Sequence, residues 1–89
     1  MAWLIKIDDT AKKELAKLDK SLAKRITSFL HTRVSVLNNP RSIGEPSKSS
    51  QGELWRYRAG DYRIVCEIHD GEICILVGRI GRRDKIYKK

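Results

Sequence analysis

At 89 residues the chain is long enough for one small domain, and its 19 Lys and Arg against 11 Asp and Glu leave a formal charge of +8. Its 40% hydrophobic content supports a single modest core, which argues against disorder despite 34% charged residues. The longest apolar stretch, Ile73–Val77, is five residues, where a membrane span needs roughly 20, and two cysteines are too few for a disulfide scaffold and lack metal-ligand spacing.

Trp3, Ile5 and Ile7 alternate with Leu4 and Lys6, the pattern of a short opening strand. Met-Ala-Trp-Leu-Ile carries no basic region ahead of an apolar run, so no signal peptide is expected, and the reading is cytoplasmic with reduced thiols. Asp8-Asp9-Thr10 offers N-cap chemistry for a helix that continues through Ala11, Leu15 and Leu18. Asp19 or Ser21 can cap a second helix, on which Leu22, Ile26, Phe29, Leu30, Val34 and Leu37 form a core stripe until Asn38-Asn39-Pro40 ends it. Residues 40–52 are rich in Ser, Gly and Pro and read as a loop. Beyond them the period changes to two, with strands expected at about 53–58, 62–69 and 72–80. The fold class is therefore α+β: an N-terminal strand, a helical hairpin, then a three-strand antiparallel meander, with the helices packed on one face of a single sheet.

The charge is concentrated. Residues 11–33 carry seven basic and two acidic side chains, residues 79–89 six and one, so each segment holds +5 while the remainder is slightly negative. Such an excess favours polyanions through counterion release, although a solvated helix face and tail would look the same.

Asp70-Gly71 predicts a two-residue hairpin turn. Ile64 then faces Val77, Cys66 faces Ile75 and Ile68 faces Ile73, all beneath the helices, while Arg63 faces Gly78 on the opposite side. A two-residue loop at Ala59-Gly60 pairs Arg56 with Arg63 and puts Arg58 on the same face beside Asp61. Three arginines thus gather on the face away from the helices, with Trp55 and Tyr57 on the other; a bulge at Ala59-Gly60 would shift part of this register. Like charges opposed across strands are destabilising, so their gathering predicts an anion site. Cys66 and Cys74 fall on opposite faces, which does not suit a disulfide. His31 and His69 lack neighbours at ligand or triad spacing, and no phosphate loop, zinc site or nucleophile elbow is present.

The run Leu54-Trp55-Arg56-Tyr57-Arg58-Ala59-Gly60-Asp61-Tyr62-Arg63-Ile64-Val65, followed by Val77-Gly78-Arg79-Ile80-Gly81-Arg82-Arg83-Asp84-Lys85-Ile86-Tyr87, resembles the RelE family of toxins from toxin–antitoxin systems, and the opening Ile7–Leu18 fits that family's first strand and helix. The resemblance spans residues 1–89 as a single domain. It implies an endoribonuclease acting in the A site of the 70S ribosome, where the mRNA 2′-hydroxyl attacks the adjacent phosphate without a metal or cofactor. The family's strand arginine falls on Arg63, its arginine after the last strand on Arg83, its C-terminal tyrosine on Tyr87, and its two basic positions of the first hairpin strand on Arg56 and Arg58. Arg79, Arg82 and Lys85 complete the expected RNA-binding surface.

Arginine forks bind phosphate oxygens and stay charged, so these residues suit stabilisation of a charged transition state. Tyr87 suits stacking on a splayed base or proton transfer. Where the family has lysines, Arg56 and Arg58 do not serve as a base, which leaves the general base open. The sequence ends two residues after Tyr87. On that basis it is expected to lack the C-terminal helix of some members, and an expected RelB-like antitoxin, through which alone operator DNA would be bound, would engage it differently. The alternatives are a non-enzymatic poison of DNA gyrase, like ParE relatives that share the fold, and a basic RNA-binding domain with neither activity.

Overall fold

The computed structural model describes residues 2–47 and 54–82. Strand β1 (Leu4–Ile7) opens the chain. Asp8 then caps helix α1 (Asp9–Ala16), its carboxylate accepting from the Ala11 N–H at 3.0 Å. Helix α2 (Lys20–Phe29) follows, with the Asp19 carboxylate accepting from the Ser21 hydroxyl rather than from the helix backbone. Past Phe29 the helix widens into a π-helical turn, Leu30–Val34, where the Ser35 N–H donates to the Leu30 carbonyl at 2.9 Å. The expected stripe is the core face: Ile26, Leu30 and Val34 are wholly buried, with Leu22 and Phe29 packed beside them.

Four further strands, β2 (Glu45–Ser47), β3 (Leu54–Ala59), β4 (Tyr62–His69) and β5 (Cys74–Arg82), join β1 in one sheet of order β1-β5-β4-β3-β2. β1 runs parallel to β5 and the remaining pairs are antiparallel. The two helices pack on this sheet, as the α+β reading expects. The core joins Ala11, Ile26, Leu30 and Val34 to Tyr57, Ile64, Cys66, Ile75, Val77 and Ile80. β2 is an addition: it lies inside the segment expected to be loop, and its Pro46 is tolerated because a sheet edge asks for no donor on one side. No helix among the described residues is long and apolar enough to cross a membrane.

Both hairpins close differently from the sequence expectation. In the last one His69 pairs with Cys74, leaving Asp70–Ile73 as a four-residue connection. Gly71 does not take the positive φ that a two-residue turn would demand; Ile73 does instead, at φ 50° and ψ 51°. Asp70 is held from outside the hairpin by Arg41, whose two terminal nitrogens donate to its two carboxylate oxygens at 3.0 Å each. The pairing therefore moves by two residues, to Ile68 with Ile75 and Cys66 with Val77, which preserves every face because the side-chain period is two.

A bulge then leaves Gly78 unpaired, since Cys66 meets Val77 and Val65 meets Arg79. Uninterrupted alternation would have turned Arg79 inward. The bulge turns it out and buries Ile80, whose N–H donates to the Glu14 carboxylate of α1 at 2.7 Å. In the first hairpin the loop is Gly60-Asp61, with Gly60 at φ +63°, so Arg58 rather than Arg56 stands opposite Arg63. The loop expected at Ala59-Gly60 is thus displaced by one residue, and the bulge in the meander lies at Gly78. Cys66 and Cys74 are free, buried and not opposed.

Candidate functional site

The corrected register makes two rows on the sheet face away from the helices. One runs Arg56–Val65–Arg79 and the other Arg58–Arg63–Gly81 across β3, β4 and β5, with strands about 5 Å apart. The gap beside Arg63 that the sequence reading gave to Gly78 is provided by Gly81. Arg58 is exposed, whereas the Arg56 and Arg63 side chains keep only 13% and 7% of their surface. Cations that deep are costly without a counter-charge.

Glu45 supplies a counter-charge. Its Oε2 accepts from Arg56 at 2.8 Å and lies 3.6 Å from a terminal nitrogen of Arg63. The hydrogen bond from Arg56 and the charge of Arg56, aided by Arg63 and Arg58, hold this carboxyl below the usual range. Gly44 sets the approach. At φ +81° it brings the chain so near β3 that a Cβ would meet the Arg56 carbonyl oxygen at 2.5 Å, so only glycine fits. The Trp55 indole N–H fastens the preceding residue, donating to the Ile43 carbonyl at 2.7 Å.

A cleft of about 340 Å³ opens here, its walls including Phe29, Arg33, Gly44, Glu45 and the three arginines. Tyr57 also borders it, but its hydroxyl donates to the Pro40 carbonyl and burial pushes the phenol pKa up. That phenol stays protonated and serves packing. His69 is remote, meeting Glu67 at 3.1 Å near the other end of β4, and His31 is exposed on the π-helical turn.

The sequence-expected residues thus divide. Arg56, Arg58 and Arg63 come together, and Arg79 shares their face two strands away from Arg56 while lying 3.4 Å from Glu14. Arg82 pairs with Tyr62, a residue packed against the core, so its register position belongs to the opposite face. Arg83, Lys85 and Tyr87 lie outside the described residues. Glu45 was missed. Its trace in the sequence is slight: an acid between Gly and Pro, the sole charge in the run Ser42–Ser47.

Residues 5–87 match the family model described as the ParE toxin of the type II toxin–antitoxin system parDE. A relative called Toxin RelE, from Mycobacterium tuberculosis, is 32% identical over 84 residues, covering 94% of this chain and 84% of its own. The chain belongs to the RelE/ParE superfamily of type II toxins. Among solved structures, a toxin–antitoxin complex from Mycobacterium tuberculosis shares this toxin's fold with a TM-score of 0.82 at 22% identity, covering 93% of each chain. A RelE–RelB complex from Pyrococcus horikoshii gives 0.72 at 23% identity, covering 93% of this toxin and 97% of that chain. Among the described residues, the sheet of this family member presents a face of clustered arginines with Glu45 set among them.

Proposed function

We propose that this toxin is a ribosome-dependent endoribonuclease that cuts mRNA in the A site and is neutralised by a cognate RelB-like antitoxin. The observation that carries this is the convergence of Arg56, Arg58 and Arg63 around a cleft, with Glu45 set among them. Guanidinium forks at that spacing suit the non-bridging oxygens of one phosphate, where negative charge accumulates as the 2′-oxygen attacks. Arg83 is assigned to the same phosphate and Tyr87 to the splayed base, with Arg79 and Lys85 along the flanking RNA; these roles follow the family resemblance, whereas Arg82, whose register position is on the opposite face, is left out of that path. The 70S ribosome supplies the strand geometry, so that much of the acceleration comes from in-line orientation.

Glu45 fills the place of the missing base. Paired with two arginines it is a weak base. A phosphate entering the cleft takes over Arg56 and Arg63, which frees the carboxylate and raises its proton affinity as substrate arrives. Glu45 then accepts the 2′-hydroxyl proton, the 2′-oxygen bonds to phosphorus, and the bond to the 5′-oxygen breaks. The products are a 2′,3′-cyclic phosphate and, once the leaving oxygen takes up a proton, a 5′-hydroxyl. No metal or cofactor enters this sequence.

The antitoxin assignment is supported by solved neighbours that are toxin–antitoxin or RelE–RelB complexes. Operator DNA is bound through that partner. Expression of the toxin alone arrests growth with translation failing first, and co-expression of the adjacent gene product restores it; growth unaffected by the toxin refutes the reading. The ParE description of the family model favours one second reading, a gyrase poison without nuclease activity. In that case DNA-damage signalling precedes any loss of translation.

A further inference from the structure

We infer that the part of the cleft bordered by Phe29 and Arg33 is a nucleobase subsite, in which Arg33 reads a base edge bearing two neighbouring acceptors. This rests on the nuclease reading and adds its sequence preference. Two unlike groups of residues line the cleft: Arg56, Arg58 and Arg63 with Glu45 come from the sheet, and Phe29 and Arg33 come from α2 and the turn that follows it, with Ile43 adding apolar surface. Phe29 is half-buried and packs edge-on against Tyr57, with ring centroids 6.4 Å apart, which braces its ring.

Arg33 lies in the π-helical turn, a local widening frequently found at functional sites. It is exposed, and among the described residues no side-chain hydrogen bond or ion pair engages it. An exposed cation that lines the same cleft as three others is positioned to meet a ligand there. The described residues that line the cleft include four guanidiniums and one carboxylate, a set that suits an anion. Its volume, about 340 Å³, exceeds what a phosphate alone fills. A nucleotide matches both groups: phosphate at the arginine trio, base against the apolar wall.

Arginine is donor-only and forked, so the complementary edge offers two adjacent acceptors. Guanine N7 and O6 do so, as do cytosine N3 and O2; adenine sets its amino donor beside both N1 and N7, and its N3 stands alone.

The test is titration of the purified toxin with guanosine, cytidine and adenosine 3′-monophosphates and with ribose 5-phosphate. Guanosine or cytidine 3′-monophosphate is expected to bind about 10-fold tighter than the adenosine compound, a difference that disappears in Arg33→Gln. In Arg33→Lys the charge remains and ribose 5-phosphate binding persists, but the base discrimination goes. Equal binding of all three nucleotides by the wild type overturns the inference. So does a uniform loss across every probe in Arg33→Gln, which would make Arg33 a phosphate contact, or no binding of any probe. The titration needs no cleavage, so a toxin that discriminates bases but cuts no RNA refutes the nuclease reading alone. On programmed ribosomes, Arg33→Gln flattens the spread of cleavage rates among codons.

Discussion

Glu45 lies in register with Arg56 across the β2–β3 pair, and its carboxylate oxygen stands 2.8 Å from that guanidinium. The pairing keeps an anion in the place that the proposed function gives to the scissile phosphate. Glu45→Gln retains the shape and the hydrogen-bond acceptor while removing the base. Its cleavage rate should fall about 100-fold or more, within the range for loss of a general base. The wild-type rate should rise with pH through the titration of Glu45 in the substrate complex, and the variant profile should be flat there. An unchanged rate in Glu45→Gln removes it from the chemistry.

Arg63 is buried at the centre of the arginine rows, opposite Arg58 and beside Gly81. Arg63→Ala should lose toxicity and about 100-fold in cleavage, comparable to deleting one preorganised oxyanion donor. Arg83→Ala should do likewise. Circular dichroism of both variants should still show the wild-type fold. Growth arrest by both variants at wild-type strength places the site elsewhere.

Asp70 and Glu45 both titrate below their ordinary values, Asp70 because of its hydrogen bonds from Arg41 and Glu45 because of Arg56. A carboxyl depressed in the folded state stabilises it above the unfolded pKa, near 3.8 for Asp and 4.5 for Glu. That contribution is lost as the pH falls through the lower folded value. Melting curves of the wild type and Asp70→Asn should therefore separate above about pH 4 and converge in stronger acid. Parallel curves throughout would show that the Arg41–Asp70 pair contributes nothing, the common fate of exposed pairs.

Tyr57 is wholly buried and donates to the Pro40 carbonyl, tying the turn after the helices to the middle of β3. Tyr57→Phe leaves that carbonyl without this donor and should cost about 1–3 kcal/mol in urea unfolding. Because burial keeps the phenol protonated, the variant should cleave RNA normally. A stable but inactive Tyr57→Phe would give the hydroxyl a chemical role.

The faces of the meander were legible in the sequence because strand periodicity tolerates a slip of two. Ile64, Cys66 and Ile68 point inward under either hairpin closure. The closure itself was hidden. Asp-Gly is a strong two-residue turn signal, but Arg41 reaches across from beyond the helices to hold Asp70, and a β-branched Ile73 takes the left-handed backbone that Gly71 was expected to take. Gly78 looked like space beside an arginine and is the bulge that separates an inward Ile80 from an outward Arg79. β2 has three residues, one a proline, in a Ser- and Gly-rich run, too short for any periodicity to register. Glu45 went unseen for the same reason: the pairing that makes it part of the site is tertiary. The arginine trio survived the register change because Arg56, Arg58 and Arg63 keep their parity, and with it their common face.

The central claim is tested most directly by mapping 5′ ends on an mRNA incubated with the toxin, with and without programmed 70S ribosomes, beside the Arg63→Ala variant. The predicted result is new 5′-hydroxyl ends inside the A-site codon, present only with ribosomes and absent with Arg63→Ala. No new ends in any tube, or ends that persist undiminished with Arg63→Ala, would contradict an arginine-centred nuclease and leave the basic face as a binding surface.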